Sequence, residues 1–136
     1  MYLVDTDVLS ALRRPQRHPS ATRWVSAQGN ENLHLSVITV GEIERGIAAA
    51  RRRGAPFASV LKRWLNSVLD LYGERILPID LATARHWGLV SQGVGHRGSD
   101  LLIAATALRH GLTVVTRNAR HFEPTGVPVL DPFDPP

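Results

Sequence analysis

Short apolar runs recur along the chain, and each has the length and composition of a buried strand. Runs rich in valine, isoleucine and leucine that stop at polar or turn residues are typical of strands in a parallel sheet. They predict strands at 2–4, 33–36, 76–79 and 112–116, and a last short strand at 127–130. Pro78 falls inside the third run and indicates an edge strand, because proline cannot donate a hydrogen bond to the ladder.

The segments between these runs have the 3.6-residue period of amphipathic helices. Helices are predicted at 8–14, 20–28, 39–53, 57–72, 80–92 and 100–110. Strands that alternate with helices predict an α/β layer fold with a mainly parallel sheet. The ligand site of such a fold lies beyond the carboxyl ends of the strands.

The composition is that of one folded domain without disulfides. The chain has 136 residues, of which 43% are apolar and 21% are charged, close to the average for globular domains. It contains no cysteine, which excludes disulfides, thiolate metal sites and cysteine nucleophiles, and fits a reducing compartment. We expect a single domain over residues 1–136, with a frayed proline-rich tail at 131–136.

No segment has the features of a membrane anchor or a leader. No apolar run approaches the roughly 20 residues of a membrane-spanning helix. The N-terminal segment MYLVDTDVLS has two carboxylates and lacks a basic start, so we expect no signal peptide. We therefore expect a soluble cytoplasmic protein.

The basic residues are almost all arginines. The net charge is +4, and Lys62 is the only lysine among 16 basic residues. The guanidinium group is suited to binding phosphate, so this excess indicates a nucleic-acid partner. A GC-rich genome also favours arginine over lysine, and composition alone leaves both explanations open.

Three acids are expected at one edge of the predicted sheet although they lie far apart in the sequence. Asp5 follows the first strand, Glu42 lies in the first turn of the helix after the second strand, and Asp100 lies in the first turn of the helix before the fourth. A helix that connects parallel strands runs antiparallel to them, so its first turn lies at their carboxyl edge. Thr116 and Asn118 end the fourth strand and are expected at the same edge.

Each acid has an ordinary explanation when it is taken alone. An acid near a helix N-terminus offsets the helix dipole by about 0.3–1 kcal/mol, and Thr39 with Glu42 fits a capping box. Their convergence favours a functional cluster, because close carboxylates repel each other unless a cation lies between them. Hard oxygen ligands select Mg²⁺ or Mn²⁺, which polarise phosphoryl oxygens and lower the pKa of bound water. A carboxylate site in an arginine-rich protein thus indicates phosphodiester hydrolysis.

Three stretches of the chain form a joint pattern that is far more specific than any one of them. They are VDTDVLSAL at 4–12, SVITVGEIERGI at 36–47 and SDLLIAATALRHGLTVVTRNARHFEPTGVPVLDPF at 99–133. Together they resemble the PIN-domain ribonucleases, specifically the VapC-like toxins of bacterial toxin–antitoxin modules, and the ending is most similar to the FitB-like branch. The resemblance implies a three-layer α/β/α sandwich and an endoribonuclease that needs Mg²⁺ or Mn²⁺. It also implies a small antitoxin partner, and a homodimer or a hetero-oligomer with that antitoxin.

Carried over by position, the resemblance makes Asp5, Glu42 and Asp100 the catalytic, metal-binding acids. It implies that Asp5 and Asp100 hold the principal ion and that Glu42 completes its shell. A metal-activated water would then attack the RNA phosphodiester without a covalent intermediate. The fourth acid that the family often has after the fourth strand is replaced here by Asn118, a neutral oxygen ligand. Thr116 is a further, weaker candidate ligand.

Four more residues near this edge have candidate roles. Thr6, Arg117 and His121 are candidate substrate contacts, although Thr6 is equally well placed to cap a helix. Asp7 stands where the family commonly has an asparagine. We favour its interpretation as a charge at a helix N-terminus over that of a further acid of the site.

Two other functions remain open. The Asp5–Asp7 run mimics the strand-end Asp-x-Asp of haloacid-dehalogenase-like phosphatases, but those enzymes also need a lysine near the site, and Lys62 is expected in the middle of a helix. The second alternative is an inactive PIN-like module that only binds a partner, because Asn118 departs from the family pattern. The apolar faces of the helices at 39–53 and 57–72 are either ordinary core or a groove for the antitoxin.

Overall fold

Five short strands form a parallel sheet in the computed structural model, which describes residues 1–96 and 98–133. The strands are β1 (Tyr2–Val4), β2 (Leu33–Ser36), β3 (Ile76–Leu77), β4 (Thr113–Val115) and β5 (Val129–Leu130). Their order in the sheet is β3-β2-β1-β4-β5, and every neighbouring pair is parallel. The predicted parallel sheet is confirmed, and β3 lies at its edge, as Pro78 indicates.

Seven α-helices connect these strands in the described part of the chain. They are α1 (Thr6–Ala11), α2 (Pro19–Ala27), α3 (Val37–Arg52), α4 (Phe57–Tyr72), α5 (Leu81–Val94), α6 (Ser99–His110) and α7 (Ala119–Phe122). Three short 3₁₀ turns, at 30–32, 73–75 and 123–125, complete the connections.

The start of α3 differs from the prediction by two residues. Ser36 is the N-cap, and its Oγ accepts a hydrogen bond from the backbone N of Ile38 at 3.0 Å. The predicted capping box of Thr39 and Glu42 is therefore wrong, because both residues lie inside the helix. Glu42 lies in the second turn, and Thr39 is completely buried.

Alternate residues of the strands supply two apolar clusters, one on each face of the sheet. Val4, Leu35 and Val115 pack with residues of α1, α3 and α4. Leu3 and Val114 pack with residues of α6 and α7. Successive side chains of a strand point to opposite faces, so this division gives the three layers of an α/β/α sandwich.

The C-terminal segment differs from the predicted frayed tail over residues 131–133. Pro132 is buried, and Phe133 packs against the cluster that includes Val4 and Val115. The backbone N of Phe133 also donates to Asp131 Oδ1 at 2.9 Å. An aromatic ring that meets an apolar surface is held in place, which the proline content alone did not indicate. Residues 134–136 lie outside the described part of the chain.

The two longest helices bury their apolar residues to different extents. Ile43 and Ile47 of α3 are buried in the core, so the interpretation as ordinary core is right for that helix. In α4, by contrast, Phe57, Val60 and Leu71 are 47%, 50% and 58% exposed. Within residues 1–96 and 98–133, no helix has both the length and the apolar character needed to cross a membrane.

Candidate active site

An open cleft of about 570 Å³ lies at the carboxyl edge of the sheet, and four acids line it. The acids are Asp5, Asp7, Glu42 and Asp100. The chain leaves β1 towards β2 on one side and returns to β4 on the other, and a reversal of this kind opens a crevice for ligands. The structure therefore brings the three predicted acids together and adds Asp7 to them.

Asp5 is buried directly behind the cleft surface, with 8% of its area exposed. As the N-cap of α1, it accepts a hydrogen bond from the backbone N of Thr6 at Oδ1 (2.8 Å), and its Oδ2 accepts from Thr116 Oγ1 (2.8 Å). Burial, and after it the neighbouring charge of Asp7, raises the pKa of Asp5 to about 6, although the hydrogen bonds from Thr116 and Thr6 lower it. An ionised Asp5 is therefore an under-compensated buried charge.

Glu42 is held by hydroxyl groups from other elements rather than by the start of its own helix. Its Oε1 accepts from Thr6 Oγ1 at 2.7 Å, and its Oε2 accepts from Ser99 Oγ at 3.4 Å. The hydroxyl of Thr39 lies 3.1 Å from that of Thr6. Thr6 is thus neither a cap nor a free substrate contact, since its hydroxyl proton is directed at Glu42. Ser99 and Thr39 were not predicted as site residues, because nothing in the sequence distinguishes a threonine that caps a helix from one buried in it.

Asp100 lies in the first turn of α6, as predicted, and is half-exposed. Its Oδ1 accepts from the backbone N of Leu101 at 3.1 Å. His121 is exposed and lines the cleft near it, and an adjoining pocket is lined by Asp100, His121 and His96. This wall of the cleft is open to solvent.

In the turn after β4, Asn118 lines the cleft, and Thr116 and Arg117 directly precede it in the chain. Thr116 is completely buried; it donates to Asp5 and accepts from the backbone N of Asn118 at 3.0 Å. The guanidinium carbon of Arg117 lies 3.8 Å from the ring centre of Phe133. Its Nη2 is 3.5 Å from Nδ1 of His18. Arg117 is therefore an exposed cation whose position is fixed by stacking.

Asp7 lies in the first turn of α1, as predicted for a charge at a helix N-terminus, and its carboxylate is also bonded to the turn after β4. Its Oδ2 accepts from the backbone N of Arg117 at 3.0 Å and from Nδ2 of Asn118 at 3.4 Å. Its Oδ1 is buried and has no hydrogen-bond partner within the described residues. Burial raises the pKa of Asp7 in spite of the hydrogen bond from Arg117.

The donor groups of the cleft fit a hard divalent cation. They are carboxylate, hydroxyl and carboxamide oxygens, the ligands that Mg²⁺ and Mn²⁺ prefer. A cation would offset the free-energy cost of the buried, ionised Asp5 carboxylate. It would also give a partner to Asp7 Oδ1, which has no hydrogen-bond partner within the described residues. No group of three His, Asp or Glu side chains in the described ranges could by itself hold a metal ion. Mg²⁺, however, is commonly bound by one or two carboxylates and keeps several waters.

The phosphatase alternative lacks its lysine. Lys62 pairs with Glu44 at 2.6 Å, in a bridge between α4 and α3 whose side chains are 35% and 46% exposed. Neither residue lines the cleft. The structure thus gives no support to the haloacid-dehalogenase-like mechanism.

Comparison with known proteins identifies the family. A model of the PIN domain matches residues 2–126. The VapC ribonuclease Y4jK of Sinorhizobium fredii is 34% identical over 99% of this chain and 99% of its own length. The crystal structure of FitAcB from Neisseria gonorrhoeae has a TM-score of 0.85 and 34% identity, over 98% of this chain and 99% of that one. A toxin–antitoxin complex from Klebsiella pneumoniae has a TM-score of 0.71 and 25% identity, over 97% and 98%.

The family model covers residues 2–126, and the ribonuclease relative matches almost the whole chain, so this chain belongs to the PIN-domain family.

Proposed function

We propose that this chain is a divalent-metal-dependent endoribonuclease and the toxin of a toxin–antitoxin pair. The observation that supports the activity is the cleft in which Asp5, Glu42 and Asp100 meet from three elements distant in sequence. RNA as the substrate agrees with the family and with the relative named a VapC ribonuclease. The pairing with an antitoxin agrees with the similar chain solved in a toxin–antitoxin complex.

Asp5 and Asp100 would hold the ion, Mg²⁺ or Mn²⁺, and Glu42 would complete or tune its shell. Asn118 is a weaker neutral ligand. When bound, such an ion supplies positive charge to the scissile phosphate and a water of lowered pKa. Thr116 suits a different role from that of a ligand, because its hydroxyl already donates to Asp5 and accepts from the turn.

The residues around the acids fix them and bind substrate. Thr116 orients Asp5, while Thr6 and Ser99 orient Glu42, so these carboxylates need little rearrangement when a ligand arrives. His121 is exposed and lines the cleft, where it can contact phosphates that flank the scissile bond. Arg117, which is exposed in the turn next to Asn118, is the second candidate for such a contact. Stacking on Phe133 holds the Arg117 guanidinium ready for that contact.

The activity is tested with purified, antitoxin-free protein and total cellular RNA, in Mn²⁺ or Mg²⁺ and in excess EDTA. We expect discrete fragments that require the metal and disappear in Asp100→Asn. Asp70→Asn, which removes an exposed acid of α4, is the matched control and should cleave like the wild type. Mn²⁺ should also raise the melting temperature of the wild type, because it binds the folded state.

Two outcomes would contradict this proposal. Cleavage that persists in EDTA or in Asp100→Asn would show that the acids do not act through a metal. A folded protein that cleaves no RNA in either metal would favour the inactive binding module.

We further propose that the exposed apolar stripe of α4 contacts the antitoxin. Phe57, Val60, Trp64 and Leu71 are spaced by three, four and seven residues, which places them on one side of the helix. Phe57, Val60 and Leu71 are about half exposed, while Trp64 is partly buried against the core. Single exposed apolar residues need no explanation, whereas several on one side of a helix indicate a contact surface. The apolar face of α3 is excluded from this groove because it is buried in the core.

The stripe is tested by co-expression with the antitoxin and purification through a tag on the antitoxin. Val60→Asp should abolish recovery of this chain. Leu89→Asp, at an even more exposed position on α5, is the control that should leave recovery unchanged. Equal recovery of both variants would remove α4 from the interface.

A further inference from the structure

The contact between Asp7 and Asn118 joins α1 to the turn after β4, across 111 residues of sequence. Asp7 Oδ2 accepts from the side-chain Nδ2 of Asn118 and from the backbone N of Arg117. Both Asp7 and Asn118 line the cleft with Asp5 and Asp100. The contact therefore lies within the acidic site and ties together its two sequence-distant halves.

The chemistry of this contact decides the orientation of the Asn118 side chain. An ionised carboxylate only accepts hydrogen bonds, whereas a carboxamide has one donating and one accepting end. Asn118 must therefore turn its NH₂ group towards Asp7, and its carbonyl oxygen is directed away from Asp7. Without a charged acceptor at this position, the two ends of the amide would be nearly equivalent in shape and free to exchange.

We propose that Asp7 is a positioning residue of the site, which fixes Asn118 with its carbonyl oxygen available to a cation or a hydrogen-bond donor in the cleft. This inference rests on the proposed function. Asp7 and Asn118 then act as an acid–amide pair in which the acid sets the orientation of the amide. The same contact holds the backbone of Arg117, so the pair also fixes the direction in which that cation leaves the turn.

The pair has a specific consequence that an ordinary structural contact lacks: the effects of changing its two members are not additive. Asn118→Asp alone would place two carboxylates in contact, and the repulsion between them would destabilise the fold. Asp7→Asn alone would keep a contact but lose the fixed orientation. The double exchange, Asp7→Asn with Asn118→Asp, would remove the repulsion between two carboxylates. It would restore the native contacts only in part, because an amide nitrogen at position 7 that donates to position 118 cannot also accept from the backbone N of Arg117.

The experiment compares the wild type, the two single variants and the double exchange. Asn66→Asp, the same change from amide to acid at an exposed position of α4 outside the cleft, is the control. Melting temperatures are measured in EDTA, and single-turnover cleavage of one RNA that the wild type cuts is measured in Mn²⁺. We expect Asn118→Asp to lower the melting temperature and the double exchange to return it towards the wild type. Each single variant should lose roughly 10–100-fold in cleavage rate, as supporting residues of metal sites commonly do, and the double exchange should recover part of this loss.

Additive effects would overturn the inference. If the double exchange melts and cleaves as the sum of the single variants, Asp7 and Asn118 do not act as a pair. If Asp7→Asn cleaves at the wild-type rate, Asp7 does not position the site. Failure of the wild type to cleave RNA would instead contradict the proposed function, and the melting temperatures in EDTA would still decide whether the pair exists.

Discussion

The two walls of the cleft hold their acids in opposite ways. On the wall formed by β1, α1 and the turn after β4, Asp5 is buried and accepts hydrogen bonds from Thr6 and Thr116. On the wall formed by α6, Asp100 is half-exposed, and its hydrogen bond comes from the adjacent residue of its own helix. Both acids face one cleft and accept a hydrogen bond from the next residue in the chain, but within the described residues only Asp5 also accepts one from a distant residue, Thr116.

This difference shows that the fold alone arranges the buried wall, whereas the wall formed by α6 is left open for a ligand. The buried wall is preorganised, and an uncompensated charge there destabilises the folded state. The open wall adds a carboxylate without such a penalty and leaves room for a substrate to enter. A cation bound between the two walls would contact the fixed carboxylate of Asp5 on one side and the more accessible carboxylate of Asp100 on the other.

The largest effect should be on activity, and it should be equal on both walls. Asp5→Asn and Asp100→Asn would each remove one of the carboxylates proposed to hold the ion, and losing a few kcal/mol of metal-derived stabilisation lowers the rate about a hundredfold or more. Cleavage rates of the two variants in Mn²⁺ check this. An Asp100→Asn variant that keeps most of its rate while Asp5→Asn loses it would restrict the reaction to the buried wall.

The burial of Asp5 should make the stability of the protein depend on pH when stability is measured in EDTA. The folded-state pKa of Asp5, about 6, lies above its ordinary value of 3.8, so the folded state holds the proton to a higher pH than the unfolded state. The free energy of unfolding should therefore fall as pH rises from about 4 to about 7, and Asp5 accounts for about 3 kcal/mol of that fall. Asp7, whose pKa is also raised, acts in the same direction.

Urea unfolding at a series of pH values, for the wild type and Asp5→Asn, measures this contribution. Asp5→Asn should gain stability over the wild type at pH 7 and lose that advantage near pH 4. His34, whose pKa is lowered mainly by burial, contributes equally to both proteins and cancels in the difference. Parallel curves for Asp5→Asn and the wild type would show that Asp5 is well compensated in the fold.

The difference between the walls also explains what the sequence could predict. The strand positions can be predicted from the apolar runs, and the positions of Asp5 and Asp100 from their places beside those runs. The convergence of the acids at one sheet edge could therefore be predicted from the sequence. The partners of Glu42 could not, because Thr6 and Ser99 belong to other helices and meet Glu42 only through the tertiary fold. The contacts of Asp7 with Arg117 and of Arg117 with Phe133 join elements that no local pattern relates. Local rules thus locate the acids, and tertiary packing determines which of them are held.

Support of the buried wall can be weakened without removing a carboxylate. Thr116→Val keeps the shape of a completely buried side chain and removes the hydroxyl that donates to Asp5. It should destabilise the protein by about 1–3 kcal/mol, the usual consequence of an unsatisfied buried polar group, and slow cleavage. Thr106→Val is the matched control, since that buried hydroxyl donates to the Leu102 carbonyl of its own helix. If Thr116→Val and Thr106→Val lose equal amounts of stability and of cleavage rate, the Thr116 hydroxyl has no role in the site beyond its contribution to folding.

The smallest effect should come from the stacking of Phe133 on Arg117 at the outer rim of the buried wall. Phe133→Leu keeps apolar contact with the core but removes the ring face that lies 3.8 Å from the guanidinium carbon. An exposed cation–π contact contributes about 0.5–1 kcal/mol, so a double-mutant cycle with Arg117→Gln should return a coupling of that size. Because the stacking fixes Arg117, Phe133→Leu should also raise the KM for RNA more than it lowers kcat. A coupling indistinguishable from zero, with KM unchanged, would show that Arg117 is positioned by its backbone bond to Asp7 alone.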